Sequence, residues 1–473
     1  MSDAYRVLLI KPRRNEETPT LMPPLGCMYL ASYLRRNGDV DVCIIDMTAE
    51  HLSYGRLGER IGDYQPDLVG VSALTYESNG MDRVAAISKS VRADLPVVVG
   101  GPHASAYTER VMANPHIDYA VVGEGELTLD DLVRALQRGG RGVEPDVGDI
   151  DGLAYRRNGS LHINPRTRYV EDLDALPFPA WDLIPLKVYK KFIRMSRCGM
   201  NDYMVIFTTR SCPYQCLYCH QVFGKGYRTR SPENVLAEIR TLHDQYGIRH
   251  FEIIDDIFNL DLPRAKRIFD MIIASDMKIR LTFPNGVRGD HMDEEFFVKA
   301  RQAGVVFMAF AVETASPRLQ RKLRKNINLE KIRANISLAL KYGIFCHGFF
   351  MLGFPTETRE ELLATSDFAI KSDLHTANIF VVNPFEGTGL ADWAREIGKP
   401  VLSQFERNYF SKEFVNLTEV PDAELNRIRR RTVRAFFLNP RRAYRVLRDL
   451  PDKDNLWALT VLLMKRLMLR STG

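Results

Sequence analysis

At 473 residues, with 45% apolar and 26% charged residues and a formal net charge of +6, the chain is too long for one domain and has the composition of a soluble globular protein. Seven cysteines, an odd number with three clustered, exclude a disulfide framework and suit a reducing cytoplasm; no basic-then-apolar secretion signal opens the chain, and no uncharged apolar run reaches the ~18–20 residues of a membrane span. The positive charge is local: residues 421–473 hold 13 Lys or Arg against five Asp or Glu, so the preceding 420 residues are net −2, and no nucleic-acid partner is expected.

Residues 1–145 alternate strand and helix. Arg6 to Ile10 reads as a strand, and Pro24 to Asn37 as a helix stopped by Gly38, with Leu25, Met28, Tyr29, Ala31 and Leu34 on its apolar side. Short apolar strands follow at 40–45, 68–72, 97–99 and 119–122, separated by helical stretches at 57–64, 81–93, 108–113 and 126–137. Continuous apolar strands between helices predict an α/β fold with a parallel sheet covered on both faces, a flavodoxin-like doubly wound domain. Ligands in that architecture bind beyond the carboxyl ends of the strands. Those ends carry Ser72-Ala73-Leu74-Thr75, Gly100-Gly101-Pro102-His103 and Gly123-Glu124-Gly125-Glu126. Any one glycine serves a strand-to-helix turn equally well; at three successive strand ends they favour the close approach of a bulky ligand.

Residues 146–200 read as a linker. Leu153 to Ile163 forms a hairpin through Asn158-Gly159, and Leu176-Pro177-Phe178-Pro179-Ala180-Trp181 is a rigid extended connector.

Residues 201–400 return to alternation, with strands at 205–209, 251–254, 280–283, 307–312, 345–351 and 378–382. Six β/α units fit an incomplete (β/α)6 barrel with function at the carboxyl ends of its strands. After the first strand comes Cys212-Pro213-Tyr214-Gln215-Cys216-Leu217-Tyr218-Cys219-His220. Three thiolates at this spacing can hold three irons of a 4Fe–4S cluster and leave the fourth iron open to a substrate or cofactor. The same residues with His220 could instead hold a structural zinc, although no second Cys or His pair with finger spacing follows, or be three unrelated buried thiols. At later strand ends stand Asp255-Asp256, which could cap the next helix, then Asn285-Gly286-Val287-Arg288, Glu313 within an apolar run, Gly348 to Pro355, and Asn383 to Leu390. The basic stretch 224–233 faces either the site or solvent.

Residues 401–473 form a helical tail. Asp422 to Phe437 is a basic helix, Pro440 interrupts it, and Leu456 to Leu469 is apolar with Lys465 and Arg466 inside it. That last stretch is too short and too charged to span a bilayer; it permits binding at an anionic lipid surface, or packing on the barrel with solvated arginines.

The cysteine loop, with the aromatic Tyr218 before its last cysteine, resembles the cluster loop of radical SAM enzymes. The resemblance implies a 4Fe–4S cluster on Cys212, Cys216 and Cys219 whose open iron chelates S-adenosylmethionine (SAM), with SAM contacts at Tyr218, Asp255, Arg288, Glu313 and Gly353. One electron would cleave SAM to a 5′-deoxyadenosyl radical that abstracts hydrogen from an unactivated carbon. Pro24-Leu25-Gly26, Val71-Ser72-Ala73, Gly100 to His103 and Val122 to Glu126 resemble the cobalamin-binding domain found ahead of many radical SAM domains. That likeness implies cobalamin contacts at Ser72, Thr75, Gly100, Gly101, His103, Gly123, Glu124, Gly125 and Glu126. Lys11-Pro12-Arg13-Arg14 stands where the wider cobalamin-binding group has DxHxxG, whose histidine ligates cobalt from below, so the resemblance implies a corrinoid without a lower imidazole, or a domain kept without its cofactor. The segment 224–233 resembles the branch containing the anaerobic magnesium-protoporphyrin monomethyl ester cyclase and the hopanoid and other lipid-modifying enzymes. Relatives often have Pro-Gly-Thr-Pro near residue 386; Glu386 and Gly389 depart from it. The expected activity is functionalisation of a carbon in a small-molecule or lipid substrate, by cobalamin-dependent methylation or by cyclisation or rearrangement without methyl transfer. A flavodoxin or ferredoxin would donate electrons. The competing reading is a non-catalytic metal-binding module. The expected place is the cytoplasm, with the tail permitting peripheral membrane association.

Overall fold

Val7, Leu8, Leu9 and Ile10 are each no more than 2% exposed. Four consecutive buried residues require cover on both faces of the strand, which a parallel sheet flanked by helices provides. A computed structural model describes residues 4–13, 20–140, 143–192, 194–196, 202–219, 222–224, 226–401 and 414–452. The chain divides into two compact units, one of residues 1–192 with 220–224 and 403–411, the other of the remainder.

The first unit runs β1 (Tyr5–Lys11), α1 (Leu25–Asn37), β2 (Val40–Asp46), α2 (Tyr54–Tyr64), β3 (Leu68–Ser72), α3 (Ser78–Val91), β4 (Val97–Gly100), α4 (Pro102–Ala106), α5 (Thr108–Met112), β5 (Tyr119–Val121), α6 (Glu126–Gly139), β6 (Leu153–Arg157), β7 (Ser160–Ile163) and a short α7 (Leu186–Tyr189). Its seven-stranded sheet has the order β2-β1-β3-β4-β5-β6-β7. The first five strands are parallel in the flavodoxin order 2-1-3-4-5, whose direction of winding reverses between β1 and β3. The hairpin at Asn158-Gly159 joins this sheet: β6 pairs antiparallel with β5, matching Tyr119 to Tyr155 and Val121 to Leu153. Without β6 the β5 edge would leave backbone groups unpaired, and Leu153 and Ala154 are fully buried by the pairing.

The second unit runs β8 (Tyr203–Ile206), β9 (Thr209–Arg210), β10 (Arg228–Thr229), α8 (Pro232–Tyr246), β11 (His250–Ile253), α9 (Leu262–Ala274), β12 (Arg280–Val287), α10 (Glu294–Gln302), β13 (Val305–Glu313), α11 (Pro317–Lys322), α12 (Leu329–Lys341), β14 (Phe345–Leu352), α13 (Arg359–Lys371), β15 (Thr376–Val381), α14 (Gly389–Glu396), α15 (Asp422–Phe437) and α16 (Pro440–Asp449). Strands β8, β11, β12, β13, β14 and β15 lie side by side in chain order, all parallel. Among the described residues β8 and β15 are not paired with each other, so the barrel is open. Helix starts follow from local sequence. Ser231-Pro232 starts α8, Asp261 caps α9 at the Arg264 amide, and the Thr358–Glu361 capping box starts α13. The α9 cap is thus Asp261, and neither Asp255 nor Asp256 serves there.

Two buried ionisable side chains, Glu357 and Arg442, brace this unit. Glu357 is fully buried, and its carboxylate accepts from the amides of Gly353 (2.6 Å) and Phe354 (3.0 Å), fixing the turn after β14. Gly353 sits at φ +97°, and a Cβ there would lie 2.9 Å from Val381 Cγ1. Burial pushes the Glu357 carboxyl up to about 8. Arg442, 3% exposed, lies over the Phe436 ring at 3.5 Å. It donates to the carbonyls of Leu374 (2.9 Å), Phe436 (2.7 Å), Ile370 (3.0 Å) and Ser372 (2.7 Å). It thereby ties α15 and α16 to the C-terminal end of α13, where a cation is favoured. The hydroxyl of Thr432 adds a bond to Ser366 at 2.8 Å.

Arg442→Met is expected to destabilise the unit by on the order of 3 kcal/mol, because it strands several buried carbonyls, and to make residues 437–452 the first site of limited proteolysis. For Glu357 the sign is that of a carboxyl whose folded pKa is raised. Its stabilising protonated form is full below the ordinary carboxyl range and is lost as pH rises through about 8. The stability of Glu357→Gln relative to the parent protein should therefore rise by on the order of 3 kcal/mol between pH 5 and 9, read from unfolding midpoints; a gap independent of pH contradicts the assignment.

Candidate functional site

The thiol loop leaves the end of β8 and is closed at its base. β9 and β10 pair antiparallel, Arg210 with Arg228 and Thr209 with Thr229, so residues 211–227 form a closed excursion. A buried polar clamp sits under this base. Asp255, 2% exposed, accepts from the amides of Thr208 (2.6 Å) and Thr209 (3.1 Å) and from the Thr208 hydroxyl. Burial raises its pKa, and the Thr208 bonds and Arg264 pull the other way. Arg264 donates to the carbonyls of Thr208 (2.8 Å) and Arg230 (2.7 Å). Arg230 donates to the Phe207 carbonyl (2.8 Å) and pairs with the fully buried Glu238. The basic stretch after the loop therefore turns inward at Arg228 and Arg230, 8% and 5% exposed, rather than to solvent. Ser211, first residue of the loop, is held at φ +68°, a strained value for serine.

The loop's outer turn is fixed by two later segments. The Leu217 amide donates to the Leu323 carbonyl (3.1 Å), and the Leu217 carbonyl accepts from the Leu390 amide (2.8 Å). A Cβ on Gly389 would lie 2.8 Å from Leu217 Cδ2, so this departure from the relatives' motif is the space Leu217 fills. Cys212 and Cys216 are half-buried, Cys219 is exposed, and none is in a disulfide. Burial raises the Cys212 thiol, with Cys216 and Asp256 adding to it. Desolvation, then Asp256, Cys216 and Cys212, push Cys219 up to about 12. The three sulfurs are thus close enough to oppose one another's ionisation, and a cationic iron cluster relieves that opposition by holding them as thiolates. A four-iron cube takes its thiolates at separate corners, which three cysteines spread over eight residues can supply. The donor set thus fits the cluster; His220 lies outside the described residues.

Beside the loop stands a pair of opposite charge. Glu313 ends β13 with φ +66° and 8% exposure. Its carboxylate is 3.8 Å from the Lys325 ammonium, which lies 6.0 Å over the Tyr218 ring. Burial raises the Glu313 pKa, against the pull of Lys325, and burial and Glu313 raise that of Tyr218. Tyr218 also tilts against Phe354, 6.2 Å between centroids, beside the Gly353 turn. The structure thus brings together Tyr218, Glu313 and Gly353 from the sequence-derived set, and adds Lys325. Arg288 and Asp255 sit at the same end of the sheet with other partners. Arg288 pairs with Asp290 (3.1 Å), donates to the carbonyls of Lys325 (3.2 Å) and Asn326 (3.1 Å), and stacks over Tyr214 at 4.0 Å.

In the first unit the expected residues line the carboxyl edge of β3, β4 and β5. Ser72, Thr75, Gly100, Gly101, Gly123 and Gly125 are half-buried there, while His103, Glu124 and Glu126 are buried. Gly101 has φ +90°, and a Cβ on it would lie 3.0 Å from the Ala73 carbonyl; one on Gly125 would lie 2.9 Å from Leu30. The chain's own packing thus requires glycine at 101 and 125, while the half-burial of Ser72, Thr75, Gly100 and Gly123 leaves this row of small residues partly exposed, as a cradle for a flat macrocycle requires. Ser105, missed from the sequence, joins two of its turns: its hydroxyl donates to the Gly101 carbonyl (3.1 Å) and accepts from the Gly123 amide (2.9 Å). Glu124 faces away from the edge, accepting from the Val170 amide at 3.2 Å. His103 packs on Tyr107 at 5.1 Å, and burial pulls its pKa down to about 4, so it is neutral at physiological pH. At the end of β1 Lys11 is paired with the buried Glu77. The cradle fits a corrinoid that receives no imidazole from the β1 end.

Comparison with known proteins matches this division. The B12 binding domain family matches residues 15–133, and the Radical SAM superfamily matches residues 206–369. An uncharacterized methyltransferase of Pyrococcus horikoshii is 33% identical over 425 residues, 89% of each chain. The anaerobic magnesium-protoporphyrin IX monomethyl ester cyclase of Rubrivivax gelatinosus is 27% identical, over 92% of this chain and 78% of its own. The radical S-adenosylmethionine methyltransferase TsrM of Kitasatospora setae, solved with cobalamin and a 4Fe–4S cluster, shares the fold with a TM-score of 0.70 at 21% identity, over 88% of this chain and 82% of its own. Thiol loop, strand-edge cradle and a relative matching along nearly the whole chain agree: the protein belongs to the cobalamin-dependent radical SAM enzymes, which work with a 4Fe–4S cluster, S-adenosylmethionine and cobalamin.

Proposed function

We propose that the enzyme methylates an unactivated carbon of a small-molecule or lipid substrate. The observation that carries this reading is the match at 33% identity, along 89% of both chains, to a protein described as a methyltransferase, while the cyclase matches at 27%. When bound, the cluster supplies the electron that cleaves SAM, and cobalamin supplies the carrier for the methyl group. A flavodoxin- or ferredoxin-type protein would bring the electrons.

The chain's own residues do the rest. Cys212, Cys216 and Cys219 hold the cluster and leave one iron corner for SAM. SAM arrives as a zwitterion, and the charges at the end of β13 are of matching type: Glu313 for the amino group and Lys325 for the carboxylate. Tyr218 and the Gly353 turn give flat, close-approach surface for the adenine. Asp255 serves by aiming the loop, and Arg288 by holding the backbone of Lys325. The strand-edge residues Ser72, Thr75, Gly100, Gly101, His103, Gly123, Gly125 and Glu126 cradle the corrinoid, with Glu124 turned instead to the Val170 amide.

The test needs no substrate. Protein reconstituted anaerobically with iron, sulfide and cobalamin is given SAM labelled in its methyl group, with a strong reductant. Deoxyadenosine and labelled methyl on cobalamin are both expected. Deoxyadenosine without methyl transfer to cobalamin overturns methylation in favour of cyclisation or rearrangement. Cys216→Ala should lose the cluster's absorbance and lower deoxyadenosine formation at least a hundredfold. Lys325→Met should raise the KM for SAM by about tenfold, the loss of roughly 1.4 kcal/mol from one charged contact, and Lys325→Arg should recover part of it.

A further inference from the structure

Beyond β15 the chain gathers its positive charge on one surface. The inner face of α15 is Leu425, Ile428, Thr432 and Phe436, all buried. Its outer face presents Arg427, Arg430, Arg431 and Arg434, and with Arg441 of α16 they line an open groove of about 1060 Å³. Among the described residues none of these five guanidiniums meets a carboxylate. Nearby acids are taken by other cations: Glu424 by Arg359 at 2.8 Å, Asp373 by Arg445 at 3.2 Å, and Asp449 by Arg448 at 2.6 Å.

The groove does not stand alone. Leu438, Tyr444 and Leu447, at 63%, 66% and 54% exposure, are the most exposed large apolar side chains among the described residues of this unit; Leu438 is the C-cap of α15, and the other two lie on α16. Tyr444 and Leu447 are three residues apart on α16, and Tyr444 lies one turn from both Arg441 and Arg448, so an aromatic group sits between arginines on the exposed side of the helix. Water gives such apolar groups nothing, and a soluble phosphate ligand has no use for them. An anionic bilayer uses both: phosphates meet the arginines, and Tyr and Leu enter the headgroup boundary. By sequence alone, residues 453–473 are themselves basic, with Lys453, Lys465, Arg466 and Arg470 against Asp454, around the apolar stretch Leu456 to Leu469.

We propose that the α15–α16 face docks the enzyme on an anionic lipid surface, with headgroup phosphates in the arginine groove and Leu438, Tyr444 and Leu447 inserted at the boundary. The proposal is independent of whether the radical chemistry ends in methylation.

Vesicle flotation of the full-length, reconstituted protein tests it, with vesicles of phosphatidylcholine alone or containing about a third phosphatidylglycerol. Flotation only with the anionic vesicles is expected, weakening as salt is raised. The triple variant R427Q/R430Q/R434Q should bind anionic vesicles about a hundredfold more weakly, and Tyr444→Ser with Leu447→Ser about tenfold. Deoxyadenosine formation in solution should be unchanged in both, which shows that they fold. No flotation, or equal flotation with neutral vesicles, overturns the proposal. So does micromolar binding of inorganic pyrophosphate that the triple variant abolishes and the Tyr444/Leu447 variant leaves intact in flotation and affinity alike, since the groove then serves a soluble phosphate. Binding of single-stranded RNA more tightly than anionic vesicles overturns it too.

Discussion

One carboxylate withdrawn from water directs the thiol loop. Asp255 is buried, so its charge is tolerated only because three donors from Thr208 and Thr209 converge on it and Arg264 stands behind. Those donors lie just ahead of Arg210 and the loop, so the need to satisfy the charge fixes how the backbone enters the loop. Arg230 and Glu238 extend the same network to the loop's far end. The bonds in this network make the loop's base rigid, because movement would strand a buried charge, even though Glu238 Oε1 and Arg264 Nη1 find no hydrogen-bond partner among the described residues. That rigidity holds Ser211 in its left-handed conformation, and with it the approach to Cys212.

Local signals made part of this legible in the sequence. The CxxxCxxC spacing reads directly because all three ligands lie within eight residues. The alternation of apolar runs and helices gave both α/β units, because strands buried on two faces must be apolar throughout. What could not be read depends on chain-distant contacts. Asp255 looks like a helix cap until the fold sets it beneath Thr208, 47 residues earlier, and gives the cap of α9 to Asp261. Lys325 sits in Leu323-Arg324-Lys325-Asn326, which reads as a basic surface turn. One signal was available and unused. Glu238 falls among Val235, Ile239 and Leu242 on the apolar side of α8, and an acid there calls for a buried cation such as Arg230. The expectation for Leu456 to Leu469 lies outside the described residues.

Both units place their reactive surface at the same end of a parallel sheet, where strand ends leave amides, carbonyls and small side chains at an edge. They meet different demands there. The first unit lines its edge with small, half-buried residues, Gly101, Gly123 and Gly125 among them. The second places charge at its edge, Glu313 against Lys325. Glu313 accepts a φ of +66° at a bulge in β13, a cost that the paired neighbours on β14 sustain.

The hairpin β6–β7 has a consequence for how the cobalamin-binding part can be inherited or excised. Because Leu153 and Ala154 complete a sheet that begins at Tyr5, the autonomous piece is not the stretch that carries the ligand contacts. A gene fusion or natural truncation that stopped after α6 would release a sticky open margin along β5, prone to pair with another molecule. The module that evolution can shuffle therefore has to travel with its antiparallel border attached.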